Sequence, residues 1–173
     1  INEAKIHFQK ATDVNQNFVE AYFNLARILT SPSEHDQAIR NYETALEINP
    51  NMDECHYWFA KLLTTGERLS NDGTLHKEPK INDAEIHFKK AIEINPKYAK
   101  AYYRLGLLLY SKKDYLTAMH NFEHAIKLNP SFSRAHYNLA VLLMDEEAID
   151  IIQKKEKNPK HKKDPVSKKS AQN

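Results

Sequence analysis

The sequence predicts an all-α solenoid built from antiparallel helix pairs, and three observations lead to this fold class. Two kinds of segment alternate along the chain, and their copies recur at fixed spacings. In each copy, apolar and small residues are spaced three and four positions apart, as on one face of a helix. Only 3 glycines occur in 173 residues, which disfavours the many tight turns of a strand-rich domain.

The first kind of segment starts at Ala4, Ala38, Ala84 and Ala118. The first two starts are 34 positions apart, as are the last two, whereas Ala38 and Ala84 are separated by 46. A second kind of segment follows each copy: EAYFNLARIL, ECHYWFAKLL, KAYYRLGLLL and RAHYNLAVLL. The complete unit therefore occurs four times, with 12 extra residues between the second and third copies of the first segment.

Small residues recur at equivalent places in both kinds of helix, and there the helices can approach closely. In one helix these places hold Ala26, Ala60, Gly106 and Ala140; in the other they hold Ala38, Ala84 and Ala118, then Ala45, Ala91 and Ala125. Large aromatic residues beside them fill the remaining space, namely Tyr42, Phe88 and Phe122. One helix pair cannot bury such a face alone, so neighbouring pairs must stack.

Three of the first-type segments end in Asn-Pro, at Asn49-Pro50, Asn95-Pro96 and Asn129-Pro130, and Asn15-Gln16 is the weakened copy. Because proline cannot continue a helix, each pair predicts a helix end. Asparagine tolerates the left-handed conformation, so we expect it to adopt that conformation as the helix cap.

These positions resemble the signature of the tetratricopeptide repeat family over about residues 1–143. One copy of the signature is Tyr22, Leu25, Ala26, Leu29, Ala38, Tyr42, Ala45 and Pro50, and another is Tyr102, Leu105, Gly106, Leu109, Ala118, Phe122, Ala125 and Pro130. His56, His136 and Phe59 are mild departures from it. The resemblance implies a right-handed superhelical solenoid that opens on a concave groove, with protein binding and not catalysis as its function.

The repeat spacing divides the chain into six parts. We expect the second helix of an incomplete repeat over 1–18, complete repeats over 19–52, 53–96 and 97–130, a partial repeat with a closing helix over 131–157, and a basic disordered tail over 158–173. Since the chain opens within a repeat, we also expect it to be part of a larger protein.

The 12 inserted residues lie within Thr64–Asp83, where Asn71-Asp72-Gly73 signals a turn. The preceding helix is expected to continue toward Leu69, and the insertion is either a tolerated surface loop or a contact element.

Composition limits the compartment and the partners. The single cysteine, Cys55, excludes an internal disulfide and fits a buried filler in a reducing compartment. No segment is apolar enough for a signal peptide or a membrane span, so we expect a cytoplasmic protein, with the nucleus as an alternative. Residues 154–173 contain 8 lysines and 2 acidic residues. Their basicity is either a solvated tail or a weak nucleic-acid patch.

The family resemblance places the first helix of each repeat along the groove. The inward positions are Glu20, Phe23, Asn24 and Arg27; Glu54, Tyr57, Trp58 and Lys61; Lys100, Tyr103, Arg104 and Leu107; and Arg134, Tyr137, Asn138 and Val141. Five of these residues are cations and two are acids, and Phe23, Tyr57, Tyr103 and Tyr137 form an aromatic stripe. Arginine binds carboxylates with paired hydrogen bonds, and aromatic rings supply rigid contact area. We therefore expect an acidic peptide or a C-terminal carboxylate in the groove, unless the aromatics serve to pack adjacent repeats.

Three alternatives remain open. Chaperone-binding members of the family use a carboxylate clamp; Lys100 and Arg104 match it, but Trp58, Phe23 and Arg27 do not. The half-repeat at the start of the chain is exposed, which would allow one copy of the chain to assemble with another. A transferase of the family carries an asparagine ladder, to which only Asn24 and Asn138 correspond.

No residue pattern indicates catalysis, a cofactor or a metal. His120 and His124 have metal-compatible spacing on a helix but no accompanying carboxylate motif. Together with His7 and His87, they are expected to lie on outward, solvated faces. We therefore predict a protein that is not an enzyme.

Overall fold

The computed structural model describes residues 2–69, 75–77 and 79–157, and within them it confirms a solenoid of antiparallel helix pairs. The helices are α1 (Asn2–Val14), α2 (Val19–Ile28), α3 (His35–Ile48), α4 (Asp53–Thr65), α5 (Ile81–Ile94), α6 (Ala99–Ser111), α7 (Tyr115–Leu128), α8 (Ser133–Met144) and α9 (Glu146–Lys157). A 3₁₀ turn over Pro32–Glu34 leads into α3.

Successive helices pack against one another along the whole array. The closest pairs are α2 with α3, α4 with α5, and α6 with α7, while α1 packs on α2 and α8 packs on α7. Where paired helices approach, Ala38, Ala84 and Ala118 are completely buried. Phe88 and Phe122 fill the space beside them, and each buried phenyl ring contributes about 2–3 kcal/mol of hydrophobic free energy.

Gly106 marks the tightest of these approaches. A Cβ atom at this position would lie 2.7 Å from Cε1 of Phe122 and 3.3 Å from the backbone oxygen of Ala118. Carbon atoms in contact are normally about 3.5–4.0 Å apart. The absence of a side chain at Gly106 therefore allows Phe122 to pack directly on the α6 backbone.

The cap geometry expected for the asparagines that end α3, α5 and α7 is wrong. Asn49, Asn95 and Asn129 have φ angles of −133°, −127° and −140°, which are extended and not left-handed. The proline that follows each asparagine disfavours the helical regions for the residue before it. Each asparagine Oδ1 instead accepts a hydrogen bond from the backbone N–H two residues later, at 3.1, 3.1 and 3.2 Å respectively. Asn15 makes the same turn at 3.0 Å without a proline.

The inserted segment contains a short β-hairpin. Helix α4 ends at Thr65, followed by Gly66 in the left-handed conformation with φ 59°. Strands β1 (Glu67–Leu69) and β2 (Leu75–Lys77) then pair in antiparallel fashion. The expectation that α4 continues toward Leu69 is therefore wrong, because Gly66 caps the helix first. The backbone of β1 lies against the 3₁₀ turn and α3. The turn predicted at Asn71-Asp72-Gly73 lies outside the described residues.

A closing helix is present where the sequence indicates one. Helix α9 packs on α7 and α8 and buries Ala148 and Ile152. Tyr110 donates a hydrogen bond to Asp145 at 2.9 Å just before α9, and Lys113 forms an ion pair with Glu147 at 3.0 Å. The tail predicted over 158–173 lies outside the described residues. In the described part of the chain, every helix is too short or too polar to cross a bilayer.

Candidate peptide-binding groove

The family resemblance assigns the concave face to the first helix of each pair, α2, α4, α6 and α8. Their inward residues differ in exposure, and the difference decides which of them a partner can contact. Arg27, Lys100 and Arg134 are exposed, as are the acids Glu20 and Glu54. Half-buried positions hold Asn24, Trp58, Lys61, Arg104, Leu107, Asn138 and Val141.

Three of the four aromatic residues expected to form a stripe are instead packed between helices. Phe23, Tyr57 and Tyr103 are only 4%, 7% and 8% exposed. Each ring contacts an aromatic ring of the partner helix, with centroids 6.0–6.3 Å apart: Tyr42 for Phe23, Phe88 for Tyr57 and Phe122 for Tyr103. Tyr57 and Tyr103 also contact Tyr98 and Phe132, which precede the next first helix. Tyr57 and Tyr103 therefore pack against the next repeat, which was the alternative left open by the sequence, whereas the ring contact of Phe23 lies within its own repeat.

Tyr137 is the exception, with 69% of its surface exposed. It occupies the same repeat position as Phe23, Tyr57 and Tyr103, but it lies on α8, the last of the four helices α2, α4, α6 and α8. Of the four predicted rings, Tyr137 alone offers most of its surface to a partner.

The ring of Trp58 is contacted by two cations, one from α2 and one from α4. The guanidinium carbon of Arg27, on α2, is 4.8 Å from the Trp58 ring centroid, and Nζ of Lys61 is 4.4 Å from it. Arg104 stands on α6 at the repeat position that Trp58 has on α4. Burial, together with Arg104 and Arg27, lowers the pKa of Lys61. Two positive charges thus lie over one indole ring, and the charge of Arg104 acts on one of them, Lys61.

The two asparagines do not form a continuous polar ladder. The side-chain amide of Asn24 donates to the backbone oxygen of Glu20 at 2.8 Å, and that of Asn138 donates to the backbone oxygen of Arg134 at 2.8 Å. Asn138 also donates to the hydroxyl of Tyr103 at 3.2 Å. Trp58 and Arg104 occupy the equivalent positions on α4 and α6 and interrupt the ladder. The amide donors of Asn24 and Asn138 are largely used in hydrogen bonds within the protein.

The histidines divide into two groups. His7, His120 and His124 are exposed as expected, and the ring of His124 stacks on Tyr102. His87 is not on a solvated face, because its Nδ1 lies 2.9 Å from Nδ1 of His56 and its ring packs on Phe59. Among the described residues there is no group of three or more His, Cys, Asp or Glu side chains arranged to bind a metal.

Cys55 is fully buried, and burial raises the pKa of its thiol to about 12. The thiol therefore stays protonated and unreactive at neutral pH, because the thiolate is the nucleophilic form. Its position in the core agrees with the predicted role as a small apolar filler.

A cleft that the sequence did not indicate lies between α3 and α5, with α4 at its floor. Its volume is about 440 Å³, and its lining combines apolar side chains with acids and one lysine: Ile39, Glu43, Leu46, Glu47, Phe59, Leu63, Lys80, Asp83 and His87. The inserted residues increase the number of positions between α3 and α5 in the sequence. No sequence pattern indicated that this cleft would form between the two helices.

The stacked helix pairs with an open first-helix face define a helical-repeat solenoid of the kind that binds other proteins. Residues 99–132 match the family model "Tetratricopeptide repeat", so the chain contains a tetratricopeptide repeat. Residues 35–114 also match the model "Regulator of microtubule dynamics protein 1-3", which covers less than half of the chain.

Solved structures share this fold. The crystal structure of MamA protein superposes with a TM-score of 0.68 at 21% identity, covering 94% of this chain and 86% of that one. A second MamA crystal structure gives a TM-score of 0.65 at 21% identity, covering 87% and 83%. An O-GlcNAc transferase mutant of Thermobaculum terrenum gives 0.58 at 21% identity, covering 71% of this chain but 21% of the transferase. At these identities the likeness concerns the fold alone. No curated protein matches the sequence significantly.

Proposed function

We propose that this protein is a non-enzymatic scaffold that binds a peptide or partner segment in the groove formed by α2, α4, α6 and α8. One observation carries the proposal: the groove presents five cations, Arg27, Lys61, Lys100, Arg104 and Arg134, that form no ion pair with any described residue. Unpaired cations on a rigid surface favour a partner of opposite charge. Because the single cysteine, Cys55, cannot form an internal disulfide, we propose the cytoplasm as the compartment of this scaffold.

The groove is tested with the double variant Lys100→Ala/Arg104→Ala. Binding partners are captured from the native source with the wild-type chain and with this variant, while circular dichroism measures helical content. We expect partner binding to fall and helical content to stay the same, because both side chains reach solvent. Undiminished binding by a folded variant would show that the basic face is not the binding site.

A second candidate function is assembly with other copies through the ends of the array. Exposed apolar side chains support it: Ile6, Val14 and Phe18 in and after α1, and Tyr137, Leu143 and Met144 on α8. Scattered apolar residues are normal on a surface, but grouped ones favour an interface. Light scattering over a concentration series tests this candidate, and a constant monomeric mass would remove it.

The match of residues 35–114 to the model named for regulators of microtubule dynamics suggests a specific class of partner. Microtubules are therefore the first partner to test. Co-sedimentation with microtubules, using the wild type and Lys100→Ala/Arg104→Ala, would reveal whether any association depends on the groove.

A further inference from the structure

The cleft between α3 and α5 lies apart from the groove and from the ends of the array. Both helices are the second members of their repeats, whereas the groove is assigned to α2, α4, α6 and α8. Helix α3 packs less closely on α4 than α5 does on α6, so the junction between the first two complete repeats is the more open one. The volume of the cleft, about 440 Å³, is in the size range of ligand pockets.

The floor of the cleft is apolar and uncharged. Phe59 and Leu63 of α4 form it, with 5% and 3% of their surfaces exposed, and the ring of His87 completes it. The Phe59 ring stacks on Tyr42 with centroids 5.4 Å apart and contacts the His87 ring at 4.6 Å, which holds it in place. Burial lowers the pKa of His87 to about 4, so its imidazole is neutral at neutral pH. The floor can therefore accept apolar surface without desolvating a charge.

The rim of the cleft is acidic. Glu43 and Glu47 lie one helical turn apart on α3, Asp83 lies on α5, and all three are exposed. None of the three forms an ion pair with a described residue. Lys80 is the one cation among the described residues that line the cleft. Three acids against one lysine leave the rim with a net charge of −2, and unpaired charge of one sign favours a partner of the other sign.

The paired acids of α3 have no counterpart on α5 or α7. There the two equivalent positions hold one acid and one lysine, namely Lys89 with Glu93, and Glu123 with Lys127. Opposite charges four residues apart on a helix attract each other, whereas like charges at that spacing repel. Glu43 and Glu47 therefore gain from a cation supplied from outside the helix, and they are the feature that sets this cleft apart from the equivalent surfaces of the other repeats.

We infer that the cleft between α3 and α5 binds an arginine side chain of a partner protein together with an adjacent apolar side chain. The apolar side chain rests on Phe59 and Leu63, while Glu43 and Glu47 hold the guanidinium group and Asp83 adds negative charge from the opposite wall. The inference goes beyond the proposed function and does not depend on it, because none of the residues that line the cleft belongs to the groove.

Arginine suits this cleft better than lysine. Its planar guanidinium group makes paired hydrogen bonds to carboxylates and can serve two of them at once. It is also more weakly hydrated than an ammonium group, so it loses less when it lies beside an apolar floor. Residues 158–173 of the chain itself contain five lysines and no arginine, and a lysine peptide in the test shows whether such a segment is the better occupant.

The experiment follows the backbone amide signals of the full chain, labelled with nitrogen-15, during titration with blocked peptides to millimolar concentration. The central sequences are Leu-Arg-Leu, the same sequence with uncharged citrulline in place of arginine, Leu-Lys-Leu, and Ser-Arg-Ser. We expect Leu-Arg-Leu to shift the signals of α3 and α5 around the cleft in a saturable way. Each of the other peptides should bind at least about fivefold more weakly, because each lacks the charge, the paired hydrogen bonds or the apolar contact.

Single variants then locate the site. Glu43→Gln and Glu47→Gln should each weaken the binding of Leu-Arg-Leu by about fivefold or more, since each removes a charge but keeps the shape of the side chain. Glu123→Gln is the matched control, because Glu123 is exposed and has the position of Glu43 on α7; it should change the affinity less than about twofold. Lys80→Gln should act in the opposite direction and strengthen binding by roughly twofold, because it removes a cation from the rim.

The outcomes that contradict the inference are distinct from those that contradict the groove. Equal binding of the arginine and citrulline peptides would mean that the acidic rim does not bind the partner, and equal binding of Leu-Lys-Leu would remove the selectivity for arginine. Signal shifts that are absent, or that spare α3 and α5, would remove the site. Lys100→Ala/Arg104→Ala should bind Leu-Arg-Leu as the wild type does, so a failure of the groove proposal would leave this site standing; a loss of Leu-Arg-Leu binding in that variant would instead place the peptide in the groove.

Discussion

Nδ1 of His56 on α4 lies 2.9 Å from Nδ1 of His87 on α5, and this contact joins the two helices of one repeat. Nε2 of His56 lies 3.0 Å from the backbone oxygen of Pro50. Since a carbonyl oxygen only accepts, Nε2 of His56 carries the proton, and its Nδ1 accepts a hydrogen bond from Nδ1–H of His87. Burial lowers the pKa of both rings, so at neutral pH the pair is neutral, with one tautomer assigned to each ring. His136 donates to Pro130 in the same way at 3.0 Å, which accounts for histidine at both departures from the family signature.

This histidine pair predicts that the protein loses stability in mild acid. Burial lowers the pKa of His87 to about 4 and also lowers that of His56, while an unfolded histidine titrates near 6.5. Between these values the unfolded state binds more protons, so the free energy of unfolding falls as the pH falls from about 6.5 to about 4. We expect a loss of roughly 2 kcal/mol over this window from His87, measured by urea unfolding at a series of pH values.

The double variant His56→Phe/His87→Phe isolates the contribution of the pair. Its free energy of unfolding should depend less steeply on pH between 4 and 6.5 than that of the wild type. His120→Gln, which removes an exposed histidine, should leave the wild-type slope intact. Equal slopes for the wild type and the double variant would mean that the pair is not buried in the neutral form.

Gly106→Ala is predicted to destabilise the protein even though alanine is the better helix former. The substitution gains about 1 kcal/mol of helix propensity. The added Cβ would lie 2.7 Å from Cε1 of Phe122, and overpacking of a tight core costs about 1–3 kcal/mol. Since Phe122 is 1% exposed, it has little room to move. With an overpacking cost near the upper end of that range, about 2–3 kcal/mol, we expect a net loss of about 1–2 kcal/mol in urea unfolding followed by circular dichroism.

Phe122→Leu provides the background that tests this cause. With the ring removed, Gly106→Ala should become neutral or stabilising, so that the double-mutant cycle yields a coupling energy of about 1–2 kcal/mol. If Gly106→Ala costs the same in both backgrounds, the contact with Phe122 is not the reason for glycine.

The repeat pattern predicted the fold well, because the helix pairs depend on local periodicity and on spacing along the chain. The relationships between repeats were harder to anticipate. His56 and His87 lie on different helices, and the sequence suggested that His87 faces solvent. The convergence of Arg27 and Lys61 on Trp58 depends on how α2 and α4 stack, which no single helix specifies. The burial of Phe23, Tyr57 and Tyr103 has the same origin, since each ring is covered partly by a neighbouring helix.

Local signals failed where two rules competed. Asparagine favours the left-handed conformation, but the proline after Asn49 disfavours it, and the side-chain turn resolved the competition. The β-hairpin after Gly66 was missed because three-residue strands are too short to produce a readable alternation.

Asp145 is predicted to control the attachment of α9 to the array. Its Oδ1 accepts a hydrogen bond from the backbone N–H of Ala148 at 3.1 Å, and its Oδ2 accepts one from the Tyr110 hydroxyl at 2.9 Å. The first bond caps the N-terminus of α9 and the second ties that end to α6. Asp145→Ala should therefore raise amide hydrogen exchange several-fold in α9 while exchange in α4 and α5 stays unchanged. Asp145→Asn should raise exchange less, because the amide keeps an acceptor oxygen for the cap, and Tyr110→Phe should remove only the tie to α6. Exchange in α9 that is the same in Asp145→Ala as in the wild type would mean that the buried Ala148 and Ile152 alone hold the helix in place.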